Sequence, residues 1–235
     1  MTTRAEYDAV FEAERKIAYP VIDAYEARTG YALQRDRYAA AARVLACPVK
    51  RNPPNWQHGR VVYAATRQYL AGVPSGPVTL LDVGTAKGFS ALCAQWALGD
   101  AGVEGRVYSV DVIDPTARAQ RNTVAEVDGL KTLAETLAPW PEAANIVFQQ
   151  ATGLEWLAGH KGRVHVAFID GKHSGPVVQA EGELLAVRQE PGDLAIFDDV
   201  QIEGVAHAVQ LLKRSYAIER IDVLPHRAYA VGVRR

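Results

Sequence analysis

Aspartates stand at or beside the ends of four short apolar runs: Asp82 after Val78-Thr79-Leu80-Leu81, Asp111 after Val107-Tyr108-Ser109-Val110, Asp170 after Phe168-Ile169, and Asp198-Asp199 after Ala195-Ile196-Phe197. Carboxylates so placed can accept hydrogen bonds from a ligand or hold a cation. The first opens the stretch Asp82-Val83-Gly84-Thr85-Ala86-Lys87-Gly88-Phe89-Ser90, where an apolar run stops at a glycine turn and a helix-like segment follows. Gly84 and Gly88 let the backbone approach a ligand closely, and the helix that follows presents its free amides there. Ala86 and Phe89 occupy the second and third glycine positions of the G-x-G-x-x-G dinucleotide pattern, so the turn points away from a nicotinamide dinucleotide and toward S-adenosylmethionine.

Asp111 at the end of the second run is suited to the ribose hydroxyls of an adenosine ligand, or to a turn or helix cap. Asp170 is followed by Gly171-Lys172-His173. In an open parallel sheet Asp170, Asp198 and Asp199 converge beside the ligand crevice, and three carboxylates in one place call for a cation. Hard oxygen donors suit Mg²⁺, or Mn²⁺ or Ca²⁺, better than zinc. Consecutive strand residues face opposite ways, so Asp198 and Asp199 share an ion only if the chain is already turning, with Val200-Gln201 as the expected turn. The alternative is that Asp199 caps a helix beginning near Ile202.

Positioning these residues requires alternating strands and helices. Tyr7, Val10, Phe11, Ile17 and Val21 recur at helical steps, which predicts a helix over 4–29 kinked at Pro20 and ended by Gly30. Further helices are expected near 36–46 and 57–71, with a loop at Asn52-Pro53-Pro54-Asn55. From Val78 onward the expected strands are 78–83, 106–111, 145–149, 163–169, 193–198, 215–223 and 227–233. The last two are separated only by about Leu224-Pro225-His226, too short for a crossover helix, so they form an antiparallel hairpin. The fold class is therefore α/β, a mostly parallel sheet with an antiparallel C-terminal hairpin. A helical extension over 1–76, a substrate cover or oligomer contact, precedes a ligand-binding domain over 77–235.

The 235 residues are 49% hydrophobic and 23% charged, with net charge −1; this favours one domain with an appendage and gives no electrostatic reason to bind nucleic acid or membrane. Cys47 and Cys93 lack the spacing of a disulfide framework or zinc site, which suits a reducing compartment. Arg4, Glu6, Asp8 and Glu12 do not read as a signal peptide, and no apolar run approaches a membrane span. The expectation is a cytoplasmic protein with a small-molecule partner, compatible with a homodimer.

With these motifs in view, the chain from about Gln57 onward resembles the cation-dependent class I O-methyltransferases, which include catechol, caffeoyl-coenzyme A and antibiotic-sugar methyltransferases. Asp82 to Ser90 looks like that family's E/D-x-G-T-x-x-G-Y-S loop, and Gln150-Ala151-Thr152 is similar to its Gly-Ala-Ser turn near adenine. The resemblance implies a Rossmann-like methyltransferase sheet and a small hydroxylated acceptor. It implies donor contacts from Asp82, Gly84, Thr85, Gly88, Ser90, Asp111, Ala151, Thr152 and Asp170, and metal ligation by Asp170, Asp198 and Asp199. The catechol-type Asp-x-x-Lys base is His173 here, and Lys172 replaces the second acid of the sugar-type Asp-Gly-Asp. His173 is the better proton acceptor, because Lys172 beside carboxylates stays protonated. The alternatives are a metal-independent N- or O-methyltransferase of the same fold, a nicotinamide-dependent oxidoreductase, and a binding module without catalysis.

Overall fold

The computed structural model describes residues 2–50, 54, 56–72, 76–223 and 227–235. The Leu224-Pro225-His226 link, and all but Pro54 of the expected loop at 52–55, lie outside the described residues.

The first helical stretch departs from expectation. Instead of one kinked helix there are two, α1 (Arg4–Glu14) and α2 (Pro20–Thr29). Thr3 and Glu6 form a reciprocal cap at the start of α1, and Pro20 opens α2, where its missing N–H breaks no hydrogen bond. Gly30 ends α2 in the left-handed conformation, as its type suggests. Helices α3 (Arg35–Leu45) and α4 (His58–Leu70) complete the extension.

Strands and helices then alternate: β1 (Val78–Val83), α5 (Phe89–Ala101), β2 (Gly105–Asp111), α6 (Leu133–Leu137), β3 (Ile146–Gln150), α7 (Gly153–Gly159), β4 (Val166–Ile169), α8 (Gly175–Val187), β5 (Leu194–Phe197), α9 (Glu203–Leu212), β6 (Tyr216–Val223) and β7 (Arg227–Arg234). The sheet order is β3-β2-β1-β4-β5-β7-β6. The first five strands are parallel, while β7 runs antiparallel to both β5 and β6. The chain builds outward from β1 to β3 and then returns to the other side of β1 as β4. That reversal opens a crevice beyond the carboxyl ends of β1 and β4, the usual ligand position in such sheets.

Alternation along the strands feeds two cores. Leu80, Val107, Val166, Phe168 and Ile196 face a cluster that includes Ile22, Tyr38 and Val61 from the extension. Leu81, Val110, Ala167, Ile169 and Phe197 face the opposite cluster with Leu157, Leu185 and Leu212. The N-terminal helices thus share a core with one sheet face. No helix among the described residues is long and apolar enough to cross a membrane.

Candidate active site

At the glycine turn, Gly84 adopts φ +99° and a Cβ there would lie 2.3 Å from the Asp170 carbonyl oxygen. The ends of β1 and β4 therefore meet at a distance only glycine permits. Gly88, also at positive φ, starts α5, and its N–H donates to the Thr85 carbonyl at 2.6 Å. Beneath the turn, Ser109 Oγ donates to Asp82 Oδ2 at 2.5 Å and lies 2.7 Å from Thr85 Oγ1. Burial pushes Asp82 up to about 6, while bonds from Ser109 and Ser90 oppose the rise. Asp82 and the Thr85 hydroxyl thus serve the turn from inside; Asp82 is not on the pocket wall.

Asp111 sits beside the turn. Its Oδ2 accepts from Ala86 N at 2.8 Å and its Oδ1 from Ile113 N at 2.9 Å. With Thr85 and Ala86 it lines a small hollow adjoining the main pocket. Ala151 N donates to the Asp111 carbonyl at 2.9 Å, and Thr152 caps α7 in a reciprocal bond with Glu155.

Across the crevice, the structure brings Asp170, His173, Asp198 and Asp199 together with Gly84, Thr85, Ser90 and Phe89 around one pocket, also lined by Lys50, His58, Lys87 and Arg227. The chain turns at Val200-Gln201 as expected, closed by Ile202 N donating to the Asp199 carbonyl at 2.9 Å, and Asp199 leads into it at φ +54°. That backbone swing lets neighbouring aspartates face the same pocket. It also displaces the capping role: Ile202 is the N-cap of α9 and makes no side-chain cap bond. Asp199 Oδ2 lies 2.7 Å from His173 Nδ1, Gln201 Nε2 donates to Asp199 Oδ1 at 2.6 Å, and the Arg227 guanidinium pairs with the same Oδ1.

Burial alone would raise Asp199, but the bonds from His173 and Gln201 and the charge of Arg227 hold it down at about 2. The other two acids go the opposite way. Burial and the neighbouring charge of Asp199 push Asp198 up to about 6, and burial with Asp198 and Asp199 raises Asp170 well above the carboxylate range. His173 is raised by its bond to Asp199. Ligand atoms of Asp170, His173 and Asp199 all lie within 4.8 Å of one another. Half-buried Asp170 with buried Asp198 and Asp199 offers hard oxygen donors of the kind a divalent cation takes.

Lys172 is exposed and does not line the pocket. Trp56 is buried and stacks on Tyr38 with ring centroids 5.1 Å apart, whereas His58 reaches the pocket wall. Arg227 escaped sequence reading because it starts a strand far from the acids. Lys50 carries no motif, and Lys87 lies inside the glycine motif at a position to which the pattern gives no role.

The family described as "Methyltransferase domain" matches over residues 81–200. No curated protein sequence matches the chain. Among solved structures, an O-methyltransferase from Bacillus cereus in complex with SAH superposes with TM-score 0.56 at 13% identity, covering 93% of each chain. The O-methyltransferase TomG from Streptomyces achromogenes, involved in tomaymycin synthesis and in complex with SAM, gives 0.54 at 15%, covering 77% of this chain and 80% of its own. An rRNA methylase from Streptococcus thermophilus gives 0.50 at 12%, covering 73% and 95%. At these identities the likeness is one of fold.

Proposed function

The chain belongs to the methyltransferase-domain family, and from that premise we propose that it moves the methyl group of S-adenosylmethionine to a hydroxyl oxygen of a small acceptor. In this reading a divalent cation, Mg²⁺ or the similar Mn²⁺ or Ca²⁺, is held by Asp170, Asp198 and Asp199. The observation that carries the reading is the convergence of three carboxylates and a histidine on the glycine turn at the sheet's switch point. A net charge of −1 gives no electrostatic pull toward RNA and favours a small acceptor.

S-adenosylmethionine, when bound, would supply an electrophilic methyl on a positively charged sulfur, with neutral SAH as the leaving group. A cation, when bound, makes the acceptor hydroxyl easier to ionise. This chain's residues supply position and proton handling. The glycine turn and Asp111 orient the donor, and holding nucleophile and methyl about 3 Å apart in line is worth several kcal/mol of the barrier. Asp199 Oδ2 engages His173 Nδ1, which leaves Nε2 as the acceptor of the hydroxyl proton.

Arg227 favours a second reading. Its guanidinium already neutralises Asp199, so a metal-independent methyltransferase could use Arg227 and His173 in the cation's place. Chelation separates the two. On the cation reading, EDTA lowers turnover by roughly 100-fold or more, given the several kcal/mol a metal contributes to charge stabilisation, and added Mg²⁺ restores it. Asp198→Ala does the same without rescue. Turnover intact in both assigns the chemistry to the metal-free alternative.

A further inference from the structure

Lys50 and Lys87 are positive charges on the pocket wall that the proposed chemistry leaves without a task. Lys50 follows α3, and Lys87 belongs to the glycine turn, so the two approach from different segments of the chain. Lys87 Nζ donates to the Arg121 carbonyl at 3.2 Å. Glu126 lies near enough to act on Lys87 through space, but its Oε1 accepts from Arg121 N at 2.8 Å. Among the described residues neither lysine forms an ion pair, whereas Arg227 and His173 are both engaged by Asp199. Burial and the charge of Lys50 push Lys87 down to about 8 against the opposing pull of Glu126. Retaining like charges in a concave site costs free energy unless a ligand compensates.

We infer that Lys50 and Lys87 form the site that grips the α-carboxylate of the methyl donor, an inference that rests on the donor reading above. Lys87 belongs to the glycine turn and lines the same pocket as Gly84, Thr85 and Ala86. The amino-acid end of the donor carries one ammonium and one carboxylate. The facing wall of Asp170, Asp198 and Asp199 attracts the cationic groups and repels the carboxylate. The lysine wall is where the carboxylate meets opposite charge. Charge-assisted bonds of this kind are the stronger ones a ligand can make, and both lysines reach one anion from separate segments.

Calorimetric titration of wild type, Lys87→Met and Lys50→Met with SAH and with its decarboxylated analogue tests the assignment. Wild type is expected to prefer SAH by about tenfold or more, as one to two charge-assisted hydrogen bonds imply. Each variant is expected to lose that preference, with affinity for the analogue unchanged. Lys50 is exposed, so Lys50→Met keeps the test alive if Lys87→Met fails to fold. An equal loss for both ligands in each variant shows that the lysines only support the loop, and overturns the inference. Unchanged SAH affinity in both variants overturns it too, and hands the lysines to the acceptor. If wild type binds neither ligand, the donor reading falls first and this inference with it.

Discussion

Glu181 on α8 is a carboxylic acid in a place that cannot support its charge. It is 2% exposed, its Oε1 lies against Gly153, and among the described residues its Oε2 has no hydrogen-bond partner. Burial pushes its pKa up to about 7 from an ordinary 4.5. The folded chain therefore holds this proton more tightly than the unfolded chain, and stability falls as pH rises from about 4.5 through 7. Integrating between these two values gives a penalty of about 1 kcal/mol at pH 5 and roughly 3 kcal/mol at pH 8. Glu181→Gln removes the charge at similar volume. Urea unfolding of both chains across this range is expected to show the variant gaining about 2 kcal/mol relative to wild type between pH 5 and 8. A stability difference that does not change with pH would refute the reasoning, and would mean that Glu181 finds a partner or water when it ionises.

Gly84→Ala is expected to destabilise the chain by more than about 2 kcal/mol and to abolish SAH binding, because its Cβ meets the Asp170 carbonyl at a backbone angle that disfavours a side chain; thermal melting and calorimetry check this. His173→Ala is expected to lower kcat by about 10² to 10⁴ with SAH affinity unchanged. In wild type, turnover should climb with pH through a value above the ordinary histidine 6.5, since Asp199 stabilises the imidazolium and only neutral His173 accepts a proton. Arg227→Ala removes the cation that competes for Asp199 and is expected to tighten Mg²⁺ binding on calorimetric titration; weaker binding would contradict Arg227 as a competitor.

Much of the fold was legible because its signals are local. The seven apolar runs are strands in the structure, and the short link after Val223 left an antiparallel pairing as the only possibility. The break before Pro20 was not legible, since apolar residues continue at helical spacing on both sides of it and the periodicity hides the interruption. The carboxylate group was readable from strand ends, yet its partner was not. Arg227 reaches Asp199 only because β7 runs antiparallel beside β5 in the register Phe197 to Ala230, with Val200 N donating to the Ala228 carbonyl at 2.9 Å. Nothing near Arg227 in sequence announces that pairing. Lys172 stands next to Asp170 in sequence, yet it is exposed and does not line the pocket.

The proposed activity stands on transfer of a sulfonium methyl to a hydroxyl oxygen. Incubation with methyl-labelled S-adenosylmethionine, Mg²⁺ and a panel of small hydroxylated acceptors, followed by NMR of the product, tests it directly. Labelled methyl ethers are expected together with release of SAH, both lost in EDTA. A label found on nitrogen, or transfer to RNA but to none of the hydroxylated acceptors, would contradict it.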